Sequence, residues 1–292
     1  MCDEEKLARW GRDALSRRQF GALAGAAAVT ACMPMDSNAS DMTLPAMKET
    51  NVTFTTADGT MDAFFVAPLI SPVPAVILWP DIAGLREAKR DMARRLAGRG
   101  HAVLVLNPYY RDVAGEQFRD FATFAGGGGF QKVGPWRAKL TAEAITRDAR
   151  AAVSWLDAQA SVDKRRGIGT QGYCMGGPFT MWTAAAAPGR VRAAASFHGG
   201  GLVRPDAAMS PHKLFGQMRA DLLVAVAQDD DAEAPEEKVV LRESARAAGR
   251  TAMVEVYRGD HGWTVPDSPA YADGEAERAW SDLLRLYERA LG

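Results

Sequence analysis

The chain has 292 residues, 47% of them apolar, with 35 Lys and Arg against 36 Asp and Glu for a formal net charge of -1. That is enough apolar material for a sizeable core, and a near-neutral chain with no basic tract excludes nucleic acid as the expected partner. Three cysteines (Cys2, Cys32, Cys174) and four histidines fit neither a disulfide framework nor a zinc-ligand spacing, so no metal and no cofactor is expected.

The first stretch reads as an address. Ser16-Arg17-Arg18-Gln19-Phe20 precedes a mildly apolar run from Gly21 to Val29, the form of a twin-arginine export signal. The run is too short and too rich in Ala and Gly for a stable membrane span. Val29-Thr30-Ala31-Cys32 resembles a bacterial lipobox, whose cysteine is lipidated and becomes the mature N-terminus. The expected organisation is an export signal over 1–32, a flexible tether over 33–48 and one α/β domain over 49–292. The expected location is the periplasm, with membrane anchoring through a lipid on Cys32. The alternative is a cytoplasmic protein with an amphipathic leader. A thiol kept at Cys174 in an oxidising compartment points to a chemical role.

Along the folded part, Asn51 to Thr56, a turn at 57–60 and Met61 to Ala67 read as a hairpin. Ala75 to Trp79 and Ala102 to Leu106 are apolar throughout, as strands buried on both faces are. Arg86 to Arg99 has helical spacing and stops at Gly100. Residues 112–136, with Gly126 to Gly129 in a row, read as an irregular excursion over the strand ends, a candidate lid. A helix over 142–158, a strand over 166–173, a helix over 177–187 and strands over 191–197, 222–227 and 252–257 follow, with helices over 235–248 and 272–290. A hairpin followed by βα repeats, about eight strands in all, predicts an α/β-hydrolase fold with a mostly parallel sheet flanked by helices on both faces.

Gly172-Tyr173-Cys174-Met175-Gly176-Gly177 falls between a predicted strand and a predicted helix. There the chain must reverse sharply, and glycines let strand and helix approach closely. The turn holds the Cys174 sulfur exposed at a helix N-terminus, where backbone dipoles favour a thiolate. The Met175 N–H then points to where an oxyanion develops. A P-loop is excluded because no Gly-Lys-Ser/Thr follows, and a dinucleotide fingerprint because the turn follows a late strand.

In this fold the order along the chain is nucleophile, acid, histidine. Asp229-Asp230-Asp231 follows the 222–227 strand, and Asp260-His261-Gly262-Trp263 follows the 252–257 strand. His261 is the expected base. His198, in Phe197-His198-Gly199-Gly200, is the rival, although it precedes the acid loop. One carboxylate must fix the imidazole tautomer. Asp230 is the choice and Asp231 the reserve, the remaining acids being solvated or capping the helix after Pro235.

These motifs resemble the dienelactone hydrolase family over about residues 50–290. The resemblance implies a carboxymethylenebutenolidase-like reaction on a small ester or lactone: Cys174 attacks, His261 relays the proton, Asp230 orients His261, and an acyl-thioester forms. It also implies that Asp81, in Trp79-Pro80-Asp81-Ile82, stands where the family has a glutamate that helps ionise the cysteine, and that the Ile82 N–H joins that of Met175 as oxyanion donor. The family grips a substrate carboxylate with arginines, one shortly after the histidine. Here residues 262–266 are Gly, Trp, Thr, Val and Pro, so Arg111, with Tyr110 and Trp263, is the expected substrate contact. The competing reading is a non-catalytic, envelope-associated binding protein on a hydrolase fold. Monomer and dimer are both open.

Overall fold

The computed structural model describes residues 46–70 and 72–292. The expected export signal, Cys32 and the tether up to residue 45 lie outside the described residues. Two strands, β1 (Met47–Thr56) and β2 (Gly59–Pro68), form the expected hairpin, with Met47 already paired to Pro68. Then come β3 (Ala75–Trp79), α1 (Glu87–Ala97), β4 (Ala102–Leu106), α2 (Phe121–Gly126), α3 (Gly129–Arg137), α4 (Ala142–Asp157), β5 (Ile168–Tyr173) and α5 (Gly177–Ala186). The chain closes with β6 (Val191–Phe197), β7 (Asp221–Ala227), α6 (Gln228–Glu233), α7 (Glu237–Ala247), β8 (Ala252–Tyr257) and α8 (Asp273–Leu291).

One eight-stranded sheet runs in the order β1-β2-β4-β3-β5-β6-β7-β8. The hairpin is antiparallel, β2 runs antiparallel to β4, and every pair from β4 to β8 is parallel. Parallel strands joined by helices leave both sheet faces covered, so their residues are apolar on both. In β3, Val76 and Leu78 pack on the α1/α8 layer with Leu96, Leu283 and Tyr287. Ala75, Ile77 and Trp79 pack on the α4/α5 layer with Ile145, Leu156 and Phe179. Each fully buried Val, Leu or Ile contributes about 1.5–3 kcal/mol over an exposed one.

Two segments differ from the sequence expectation. Residues 112–136 contain two helices, α2 and α3, where an irregular stretch was expected. Asp120 caps α2 by accepting from the Thr123 N–H at 2.7 Å, and Phe118, Phe121 and Phe130 pack against Phe124. Asp229, Asp230 and Asp231 form the first turn of α6, not a loop. Among the described residues no helix is long and apolar enough to cross a membrane.

Candidate active site

Cys174 sits directly after β5, in a single 3-10 turn (Cys174–Gly176) that feeds α5. Its φ of 52° is left-handed, a conformation that costs a non-glycine residue energy. The turn is too tight for side chains at its flanks: a Cβ on Gly172 would lie 2.1 Å from the Gly176 carbonyl oxygen, and one on Gly176 would lie 2.6 Å from those of Trp79 and Pro80. Register does the rest. Trp79 pairs with Gly172, so the segment leaving β3 runs beside the Cys174 turn. The thiol, expected to be exposed, is 3% exposed.

His261 leaves β8 in the loop that follows it, and its Nδ1 lies 2.8 Å from Asp230 Oδ2. Of the three adjacent aspartates, Asp230 is the one that meets the ring. Asp229 Oδ1 accepts from the backbone N–H of His261 at 2.9 Å and from that of Asp230 at 3.0 Å, tying the first turn of α6 to the His261 loop. Asp231 pairs instead with Lys238 of α7, so it neither caps the helix after Pro235 nor reaches His261.

Asp81 lines the same cleft, but its carboxylate is committed. It accepts from Arg86 at 2.7 and 3.0 Å and from the Ala83 N–H at 3.0 Å, and it forms an ion pair with Lys89 at 2.8 Å. Burial alone would raise its pKa; the charges of Arg86 and Lys89 outweigh burial and hold the carboxyl well below the usual aspartate range. Lys89 also lies 4.4 Å from the centre of the Tyr173 ring, next to Cys174. Neither buried cation was recognised in the sequence, where both sit in an ordinary helical pattern.

Ile82 and Met175, the two expected oxyanion donors, are joined by a residue the sequence reading passed over. The Tyr109 hydroxyl donates to the Ile82 carbonyl at 2.7 Å and lies 3.5 Å from Met175 Sδ. The neighbours that were expected to contact substrate do not line the cleft. Tyr110 donates to Asp148 at 2.7 Å and meets Thr56 at 2.7 Å; Arg111 pairs with Asp58 and Asp148 at 2.6 and 2.8 Å. Both are held by the hairpin turn and α4. Trp263 is likewise wholly buried, stacked on Tyr257 and edge-on to His198.

His198 lies in the cleft with the others. Its ring centre is 4.8 Å from that of His261, and its Nε2 is 3.2 Å from Thr264 Oγ1. Burial first, then the charges of His261 and Lys89, push it well below the usual histidine range, so it is neutral at pH 7.

The cleft is small, about 20 Å³, and is lined by Asp81, Ile82, Phe121, Cys174, His198, His261, Gly262, Val265 and Ser268. Phe121, from α2, closes it on one side. A larger apolar cavity of about 140 Å³ lies between α1 and α8 and contains neither Cys174 nor His261. Among the described residues no group of His, Cys, Asp or Glu is arranged to hold a metal ion.

The family model of the dienelactone hydrolases matches residues 61–291. A protein of Escherichia coli K12 provisionally named carboxymethylenebutenolidase is 27% identical over 236 residues, which cover 78% of this chain and 82% of that one. One of the same provisional name from Methylorubrum extorquens AM1 is 27% identical over 231 residues, 77% of this chain and 76% of that one. Among solved structures, a provisionally named dienelactone hydrolase from Klebsiella pneumoniae superposes with a TM-score of 0.70 at 25% identity, covering 84% of this chain and 99% of that one.

Proposed function

The chain belongs to the dienelactone hydrolase family, and from that premise we propose that it hydrolyses small esters or lactones through a Cys174–His261–Asp230 triad and an acyl-thioester. The observation that carries this reading is the meeting of three chain-distant elements at one cleft: Cys174 at the end of β5, Asp230 after β7 and His261 after β8, with His261 Nδ1 at 2.8 Å from Asp230. Asp230 accepts from Nδ1–H and leaves Nε2 as the proton-accepting nitrogen.

In the first half-reaction Cys174 gives its thiol proton to His261 Nε2, the resulting thiolate adds to the carbonyl carbon, and the Ile82 and Met175 N–H groups receive the oxyanion. The intermediate collapses, the carbon–alkoxide bond breaks, and His261 supplies the proton that the alcohol carries away. In the second, water adds to the thioester as His261 takes its proton, and the carbon–sulfur bond breaks to return the thiolate. A thiolate leaves more readily than an amine, so esters and lactones are favoured over peptides. Asp81, locked by Arg86 and Lys89, acts in this scheme as a fixed anion beside the site and not as a proton acceptor.

The direct test is turnover of a panel of lactones and short-chain p-nitrophenyl esters by the full chain and by Cys174→Ala. Loss of all turnover with an unchanged circular-dichroism spectrum is expected; retained turnover contradicts the scheme. For the N-terminal segment we propose export and lipidation at Cys32, on the twin-arginine and lipobox patterns. Cys32→Ala is expected to move the protein from the membrane fraction to the soluble fraction, and an unchanged distribution contradicts this.

A further inference from the structure

Among the described residues only two non-glycine residues have a positive φ, Cys174 at 52° and His198 at 40°, and both line the same cleft. Left-handed backbone at a non-glycine residue is strained and persists where the surroundings over-determine it. The strain at Cys174 belongs to the nucleophile turn. The strain at His198 has no part in the triad scheme. It fixes an imidazole that is 1% exposed, with its backbone N–H donated to Ala225 O at 2.8 Å and its Nε2 set against Thr264. Its other nitrogen, Nδ1, is buried without a protein partner. A buried polar atom left so is costly, and one on a residue that lines a reactive cleft calls for a ligand.

Sheet order says which side of Cys174 this atom serves. Ile82, one of the two oxyanion donors, leaves β3 on one flank of β5. His198 leaves β6 on the other flank, the flank of Asp230 and His261. The hydrolytic water must approach from the flank that holds the base. The cleft's 20 Å³ is about what one water requires, and a bound water needs at least two polar partners.

We infer that His198 Nδ1 binds the hydrolytic water of the deacylation step, an inference that rests on the Cys174 acyl-thioester scheme. Thr264 Oγ1 accepts from His198 Nε2–H, which leaves Nδ1 as an acceptor. As the water oxygen bonds to the thioester carbon, one of its protons passes to His261 and the other stays on the oxygen, hydrogen-bonded to Nδ1. The carbon–sulfur bond then breaks, giving the acid and the Cys174 thiolate. His198 thereby acts on deacylation and not on acylation.

The test uses p-nitrophenyl acetate with the wild type, His198→Phe, His198→Asn and Cys174→Ala. Phe keeps a ring without the nitrogen. Asn offers a carbonyl oxygen near the Nδ1 position and tolerates left-handed backbone. Stopped-flow nitrophenolate release reads acylation, and quenched-flow intact mass reads decay of the acyl-enzyme. For His198→Phe we expect acylation within about twofold of wild type and acyl-enzyme decay about tenfold slower, the worth of one hydrogen bond. His198→Asn is expected to recover decay to within about threefold of wild type, for the same reason. Equal slowing of both steps, no slowing of decay, or Asn as slow as Phe overturns the inference. Cys174→Ala separates the two claims: if it still turns over, the thioester scheme itself has failed, whatever the His198 variants do.

Discussion

Arg86 and Asp267 lie 181 residues apart in the chain and meet through two hydrogen bonds of 2.7 Å each. On its other side the same guanidinium holds Asp81, so one buried cation joins the wall of the cleft to the segment after His261. Asp267 also accepts from the Phe121 N–H at 2.9 Å, which brings the start of α2 into the same network.

Removing that cation takes the guanidinium from both carboxylates and leaves Asp81 with Lys89 as its one buried cation. Arg86→Met is expected to lose about 3–5 kcal/mol in urea denaturation, the range for breaking a buried pair from one side. The sign with pH follows from Asp81. Its folded pKa lies below the unfolded value, so its contribution is present above the ordinary aspartate range and is lost as pH falls through and below that range. The wild type is therefore expected to lose stability steeply below about pH 4, and Arg86→Met to show a shallower slope there. A variant as stable as wild type contradicts the network's role.

Asp230→Asn is expected to lower kcat by about 10³–10⁴, because an amide holds His261 in the wrong tautomer. Asp231→Asn, whose carboxylate faces Lys238, is expected to stay within about threefold, as surface ion pairs do. Steady-state kinetics on one aryl ester settles the order; an equal loss at both positions contradicts the assignment.

Tyr109→Phe is expected to lower kcat about tenfold with KM nearly unchanged. The hydroxyl positions the Ile82 and Met175 segments, and misplaced oxyanion donors weaken binding of the transition state more than that of the ground state. A rise in KM with kcat intact would show a substrate contact instead.

The sheet was legible because apolar runs such as Ala75 to Trp79 and Ala102 to Leu106 carry their burial in their composition. The Cys174 turn was legible because only glycine fits at 172 and 176. What escaped the sequence depends on partners distant in the chain. The Gly126–Gly129 run argues against helix, yet an aspartate cap and a cluster of phenylalanines build α2 and α3 on either side of it. Tyr110 and Arg111 were expected at the substrate because nothing local shows that Asp58 and Asp148 will claim them. Lys89 and Arg86 look like surface positions in and just before α1 until Asp81 and Asp267 fold against them. His198 was visible as a rival base; its place beside His261 depends on β6 and β8 flanking β7.

Phe121, Ile82 and Val265 make the apolar part of a narrow cleft, and the buried cations that meet its wall at Asp81, Arg86 and Lys89, are bound to that carboxylate. Short neutral acyl esters are therefore expected to react with kcat/KM at least about tenfold above esters whose acyl part bears a carboxylate, the scale of one unmet charge contact. Phe121→Ala is expected to improve butyryl relative to acetyl esters by about tenfold without changing the preference for neutral acyl groups. Equal rates for neutral and anionic substrates contradict this account of the cleft.

The central claim is that Cys174 carries the acyl group. Intact-mass analysis of the full chain quenched within milliseconds of mixing with p-nitrophenyl acetate, followed by peptide mapping, reads it directly. One acetyl group on the peptide containing Cys174, absent in Cys174→Ala and decaying as product forms, is the predicted result. Turnover with no acyl adduct at Cys174, or with the adduct on another residue, would contradict it.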